Sequence, residues 1–196
     1  SAILYEDDRM LVIDKPSGLA VHGGSGIAYG VIEALRLMRP RAQFLDLAHR
    51  LDRETSGCLV LAKRRSTLRA LHARFREGEV DKRCLALVHG VFDKKTRRVE
   101  APLRPESGKG GDRVMRVHPD GQAARTDFRC LQSYDSWSLV EAVLHTGRMH
   151  QIRAHAASIG HPVAMDRRYG STTADRELRP LGLRRLFLHA ASLAFE

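Results

Sequence analysis

Asp52 lies in the densest polar island of the chain, His49-Arg50-Leu51-Asp52-Arg53-Glu54-Thr55-Ser56-Gly57, which separates a strand-like segment at 44–47 from the apolar run Cys58-Leu59-Val60-Leu61-Ala62. A plain connection would be mostly turn formers. A carboxylate set among guanidinium groups stays ionised, because a nearby cation favours its charged form. In a cleft, such a carboxylate serves as nucleophile or base. Asp52 and Glu54 lie two apart, so in an extended stretch they face alike, and an acid/base pair of the glycosidase kind stays open on spacing alone. The bland alternative is a solvated, salt-bridged loop.

A second island reads His145-Thr146-Gly147-Arg148-Met149-His150-Gln151-Ile152-Arg153-Ala154-His155. Gly147, after a strand and before a helix, suits a sharp turn with backbone N–H groups turned to an anion. Gln151 and His155 are four apart and share a helix face, whereas Arg148 and Arg153 do not and serve different partners. The chain has ten histidines. His145, His150 and His155 are spaced by five, about 140° past a full helical turn, so they point apart. No His-Glu-x-x-His occurs, and a metal is not expected. Neither glycine-rich phosphate motif is present. Cys58, Cys84 and Cys130 include no C-x-x-C; they read as reduced, structural thiols of a cytosolic protein, with a catalytic thiol as the lesser alternative.

The elements that must hold these islands can be read in outline. Two short strands, 3–6 and 10–14, are split by Asp7-Asp8, and Lys15-Pro16-Ser17-Gly18 stops the second. A glycine-rich loop at 22–30 leads to a helix at 31–39, with Val31, Leu35 and Met38 on one face and Pro40 ending it. Ser66 is the expected N-cap of a helix bearing Leu68, Leu71 and Phe75, closed by Gly78. A strand at 84–88 follows. Residues 93–113 are rich in Lys, Arg, Gly and Pro and read as a mobile basic loop or an irregular strand pair. A hairpin at 125–145 turns about Tyr134-Asp135-Ser136, a helix covers 149–159, and a last strand covers 186–195. Strands outnumber helices and are often consecutive. That pattern predicts an α+β fold with a mixed, mostly antiparallel sheet and flanking helices, in one domain with two lobes around a cleft.

Composition narrows the partner. Among 196 residues, 33 Lys and Arg against 23 Asp and Glu give a formal charge of +10, which points to a polyanion, most simply nucleic acid. Aromatics are only 6%, so stacking on many successive bases is not the expected mode. No apolar run approaches the ~20 residues of a membrane span.

Taken together, these stretches resemble the RluA-type pseudouridine synthases. The first island matches H-R-L-D-x-x-T-S-G, and the second is similar to H-T-G-R-x-H-Q-I-R-x-H. Asp14-Lys15-Pro16-Ser17-Gly18 resembles N-K-P-x-G, and Leu188-His189-Ala190 fits a late L-H-A stretch. Val21-His22-Gly23-Gly24-Ser25-Gly26 and Arg185-Leu186-Phe187-Leu188-His189-Ala190 are most similar to the RluC branch, which modifies large-subunit ribosomal RNA. The resemblance implies the pseudouridine synthase fold with its catalytic cleft, and an enzyme without cofactor or metal that isomerises uridine in RNA. It implies a cytoplasmic monomer whose partner is rRNA, with tRNA as the alternative substrate. Asp52 matches the catalytic aspartate and Arg153 the arginine that pairs with it. Arg50 matches the arginine that fills the space left by the flipped uridine. His49, Lys15, Arg148, Gln151 and Leu188 are the further expected substrate-binding positions. One departure stands out: where the family places a base-stacking tyrosine in K-x-Y, this chain has Lys82-Arg83-Cys84. Cys84 keeps a weakly active or inert RNA-binding module in view. The RluC branch carries an S4 RNA-binding domain ahead of the catalytic one; residues 1–196 are expected to be the catalytic domain alone, a piece of a longer protein.

Overall fold

The computed structural model describes residues 2–24, 26, 29–93 and 95–196. The chain divides into two compact units, Ser1–Val80 with Ala190–Glu196, and Asp81–His189.

In the first unit, β1 (Ala2–Glu6) pairs antiparallel with β2 (Met10–Lys15). Asp7 makes the turn between them: its carboxylate accepts the N–H groups of Arg9 (2.7 Å) and Met10 (2.8 Å). Side chains alternate along β2, so Leu11, Ile13 and Lys15 all point inward. Helix α1 (Val31–Met38) buries Val31 and Ile32, and its Glu33 carboxylate accepts the N–H groups of Gly23 and Gly30. Met38, expected on the buried face, is 77% exposed, because the helix leaves the core after its first turns and Leu37 is exposed with it. Part of the glycine-rich loop, residues 25, 27 and 28, lies outside the described residues.

β3 (Asp46–Leu47) and β2 both pair antiparallel with β4 (Ser56–Ala62). Both faces of β4 are covered, which is why its sequence is an unbroken apolar run. Leu59 and Leu61 join Leu11, Ile13, Val21, Val31 and Ile32, while Val60 and Ala62 pack with Ala48 and Leu71. Leu71 belongs to α2 (Arg65–Arg76), whose N-cap is Arg64 and not the expected Ser66. No side chain caps this helix, so its start is set by packing.

The second unit holds β5 (Asp81–His89), β6 (Thr96–Glu100), β7 (Leu103–Ser107), β8 (Arg113–Val117), β9 (Arg125–Ser133) and β10 (Trp137–Leu144). β5, β10, β9 and β6 lie side by side in that order, all antiparallel, and β7 and β8 form a separate two-stranded ribbon. Residues 93–113 form strands and not a loop, but β6 and β7 do not pair with each other: β6 pairs with β9 and β7 with β8, which starts at Arg113; Lys94 lies outside the described residues. Helices α3 (Gln151–Ser158) and α4 (Thr172–Asp175) follow, and the chain ends in β11 (Leu188–Ala194). The fold class is α+β, as the succession of strands predicts.

Candidate active site

The Asp52 loop is tied down at both ends and in the middle. At its start, His49 Nε2 accepts the N–H of Val60 at 3.0 Å, and its ring stacks on Phe75 with centroids 4.8 Å apart. At its end, Thr55 and Ser56 are buried, and the Thr55 N–H donates to the Asp52 carbonyl at 3.1 Å. In the middle the loop is laced to residues 15–19. The Gly18 N–H donates to the Arg53 carbonyl (2.8 Å), Arg53 Nε donates to the Gly18 carbonyl (3.0 Å), and Ser17 Oγ donates to the Glu54 carbonyl (2.8 Å). Lys15, with no exposed surface, completes the lacing: its Nζ donates to the carbonyls of Pro16 (2.9 Å), Leu19 (2.8 Å) and Arg53 (3.0 Å). The three donors of an ammonium match three backbone acceptors from two loops. Asp52 itself is half-buried, while Arg50 and Glu54 are exposed. Glu54 pairs with Arg53 at 3.8 Å in solvent, whereas Asp52 is half-buried.

In the second unit, α3 presents Arg153, 93% buried, against Asp166, which is 1% exposed. The contact is a two-pronged fork: Nε to Oδ2 at 2.8 Å and Nη2 to Oδ1 at 2.9 Å. The same Oδ1 accepts the N–H groups of Arg168 (3.0 Å) and Tyr169 (3.1 Å), so the turn after Asp166 is wound around the carboxylate that holds the arginine. The Arg153 guanidinium carbon also lies 5.1 Å from the centre of the Tyr169 ring. Tyr169 is fixed in turn by its hydroxyl, which accepts the Met115 N–H at 2.7 Å and meets His150 Nδ1 at 2.8 Å.

Several expected substrate-binding residues make bonds within the protein. Gln151 is 97% buried and its amide is fully used: Nε2 donates to the Arg125 carbonyl and Thr126 Oγ1 (2.9 Å each), and Oε1 accepts from Thr146 Oγ1 (2.6 Å) and the Arg148 N–H (3.0 Å). Two donors and two lone pairs are all that an amide has, and here each meets a protein partner. That contact also occupies the Arg148 N–H, one of the groups expected to await an anion in the Gly147 turn. The Arg148 side chain, half-exposed, donates from Nε to the Ala123 carbonyl at 2.9 Å. Lys15 and His49 act as described, through the backbone, and Leu188 is 4% exposed in β11. Cys84 is 6% exposed in β5, opposite Ala142 of β10. Lys82, two residues earlier, has its pKa lowered by burial; its Nζ sits 2.9 Å from where a Cβ on Gly147 would stand.

Tyr169, in the family-like stretch Asp166-Arg167-Arg168-Tyr169-Gly170, offers no obvious replacement for the missing tyrosine on sequence alone, and sequence reasoning gave no role to Asp166 or to the Tyr169 hydroxyl. The signal for Asp166 is present in Asp166-Arg167-Arg168-Tyr169: a short carboxylate able to bond N–H groups two and three residues on. His155 closes another buried chain. Its Nε2 donates to the Ala101 carbonyl (2.8 Å), so Nδ1 is the acceptor for Thr126 Oγ1 (2.8 Å), and burial lowers its pKa. The three histidines spaced by five bind three different groups, His145 meeting Asp127 at 3.0 Å.

Residues 9–158 match the RNA pseudouridylate synthase family, and the chain belongs to it. It is 51% identical over 194 residues to a protein named ribosomal large subunit pseudouridine synthase C from Haemophilus ducreyi, covering 99% of this chain and 61% of that protein. The protein of the same name from Escherichia coli K12 is 51% identical over 195 residues, covering 98% and 61%. The chain thus spans about three fifths of the length of these curated relatives. Among solved structures, human RNA pseudouridylate synthase domain containing 4 superposes with a TM-score of 0.80 at 29% identity, covering 99% of this chain and 84% of that one. Human RNA pseudouridylate synthase domain containing 1 gives 0.79 at 26%, covering 98% and 77%. No helix among the described residues is long and apolar enough to cross a membrane.

Proposed function

We propose that this chain is the catalytic domain of a pseudouridine synthase that isomerises uridines of large-subunit ribosomal RNA in the cytoplasm. The observation that carries the reading is the Asp52 loop: a half-buried carboxylate on a backbone laced by Lys15, Ser17, Gly18 and Arg53, inside a chain half identical to enzymes named for that RNA. In this reading Asp52 attacks C1′ of the ribose or removes the C2′ proton, and the C1′–N1 bond breaks. The uracil turns and C5 bonds to C1′, as the Asp52–C1′ bond breaks on the first route or the proton returns to C2′ on the second; the C5 proton then leaves and N1 gains one. Atoms and electrons balance within the substrate, so no cofactor is called for. Arg153, which matches the family's paired arginine in sequence, is held in place by the Asp166 carboxylate. Exposed Arg50 takes the place of the extruded nucleotide, offsetting part of the unstacking cost.

The test is to incubate deproteinised large-subunit rRNA and tRNA with the chain and with Asp52→Asn, label pseudouridine with a carbodiimide, and map reverse-transcription stops. New stops in rRNA with the parent and none with Asp52→Asn are expected. Stops confined to tRNA would move the substrate assignment. Intact binding with no stop in either RNA would make the domain an inert RNA-binding module, and Asp52→Asn within tenfold of the parent would place the chemistry elsewhere.

A further inference from the structure

Helix α2 has no acidic residue in its twelve positions. Leu68, Leu71 and Phe75 face the β4 core. Arg65, Arg69, His72 and Arg76 follow one another at intervals of four, three and four, which places all four within about 60° of the helix circumference. All four are exposed. They form a stripe about 16 Å long with steps of about 5–6 Å, close to the step between successive phosphates on a nucleic-acid strand.

The arrangement works against the helix that carries it. Like charges four apart repel. Arg64 at the N-cap and Arg65 in the first turn oppose the positive end of the helix dipole, and no side chain caps that end. Among the described residues, the only ion pair of this helix joins Arg74, on another face, to Glu79. Arg65 is steadied by an aromatic ring instead, its guanidinium 5.1 Å from the centre of Phe44. The stripe is also continuous with the catalytic loop: His72 Nε2 is 3.4 Å from the Leu47 carbonyl, and Phe75 stacks on His49, the residue before Arg50.

We propose that this stripe is a docking surface for the sugar–phosphate backbone of the RNA strand next to the target uridine; it rests on the function proposed above and names the surface that function uses. A row of guanidinium groups without acidic partners complements a row of phosphates, and the loop beside it is where the flipped nucleotide must arrive. Each phosphate contact releases counterions and adds about 0.7–0.9 to the slope of log affinity against log salt.

Affinity for one rRNA fragment is measured across salt for the 196-residue chain, for the triple variant Arg65→Gln, Arg69→Gln, Arg76→Gln, and for a charge-matched variant at exposed sites elsewhere, Arg9→Gln, Arg41→Gln, Arg179→Gln. Glutamine is a good helix former, so the stripe variant should unfold no earlier than the parent. Its slope is expected to fall by about 2–3, with KM up at least tenfold and kcat at saturating RNA within twofold. The charge-matched variant should lose less than one unit of slope. Equal slope losses in the two variants overturn the proposal. So does an unchanged RNA slope accompanied by loss of binding to phosphatidylglycerol vesicles, which would make the stripe a membrane face. A parent that makes no pseudouridine sinks the functional reading, while the slope comparison still decides the stripe.

Discussion

Asp166 decides what Arg153 can do, because a guanidinium at 7% exposure keeps its place only if its charge is answered. Asp166→Asn preserves size but replaces one carboxylate oxygen by a donor facing other donors and takes away the charge that the buried fork meets, a loss of about 3–5 kcal/mol. The urea midpoint should fall accordingly, and turnover should drop by at least about tenfold, since the arginine is then free to reorient. A midpoint and rate equal to the parent's would mean the fork is dispensable. Cys84 asks the opposite question. A tyrosine there must displace packed neighbours, at about 1–3 kcal/mol, yet offers an extruded base a ring face worth about 1–3 kcal/mol. Cys84→Tyr is therefore expected to unfold at lower denaturant and to turn over faster in single-turnover assays on the same RNA. A slower variant would show that this position has repacked around the thiol.

At the scale of elements, the site depends on two loops that touch across 38 residues of sequence. Lys15 Nζ reaches the Arg53 carbonyl because β2 and β4 are neighbours with Lys15 opposite Gly57. Lys15→Met keeps length and fills the space but takes the ammonium away from the carbonyls of Pro16, Leu19 and Arg53, of which the last keeps the Gly18 N–H. At about 1.5–3 kcal/mol for each hydrogen bond to a charged group, partly offset by relief of burying the charge, a loss of at least about 3 kcal/mol is expected, with a slower Asp52 reaction. A parental urea midpoint would mean the carbonyls find other donors. This pairing marks where the sequence stops being legible. The contiguous stretches announced themselves: the polar island at Asp52, the hairpin now seen as β9 and β10, the apolar run of β4. What stayed hidden is tertiary. β2 alternation places Lys15 inward, but only the fold shows which carbonyls it meets. The four protein partners of Gln151 come from β9 and the turn before α3, and only the fold brings them together. Arg64 starts α2 in place of Ser66 because packing of Leu71 on β4 outweighs a cap. Asp166 lies 13 residues from Arg153, with nothing local to join them.

For the whole molecule, acid should act through two residues, one from about pH 6.5 downward and the other only below about pH 4.5. His155 has no exposed surface and its pKa is lowered from 6.5, by burial first of all, with its bond to the Ala101 carbonyl acting the other way. The unfolded chain therefore binds a proton at this residue before the folded one does, and stability falls as pH drops below about 6.5, by up to about 1.4 kcal/mol per unit until the folded-state value is reached. Glu6 acts lower. Hydrogen bonds from Arg39 (2.6 Å) and then Lys63 (2.7 Å) bring its pKa from 4.5 to about 2, so the stability it lends is complete above 4.5 and lost on the way down to 2. Urea midpoints between pH 7.5 and 5.5 should fall for the parent more than for His155→Gln, which keeps a buried amide to bridge Thr126 and Ala101 but has nothing to protonate. Glu6→Gln should track the parent through that window and diverge only below pH 4.5. If His155→Gln loses as much as the parent between 7.5 and 5.5, the proton taken up there belongs to another histidine, and the chain from Gln151 through Thr126 and His155 to Ala101 survives acid unchanged.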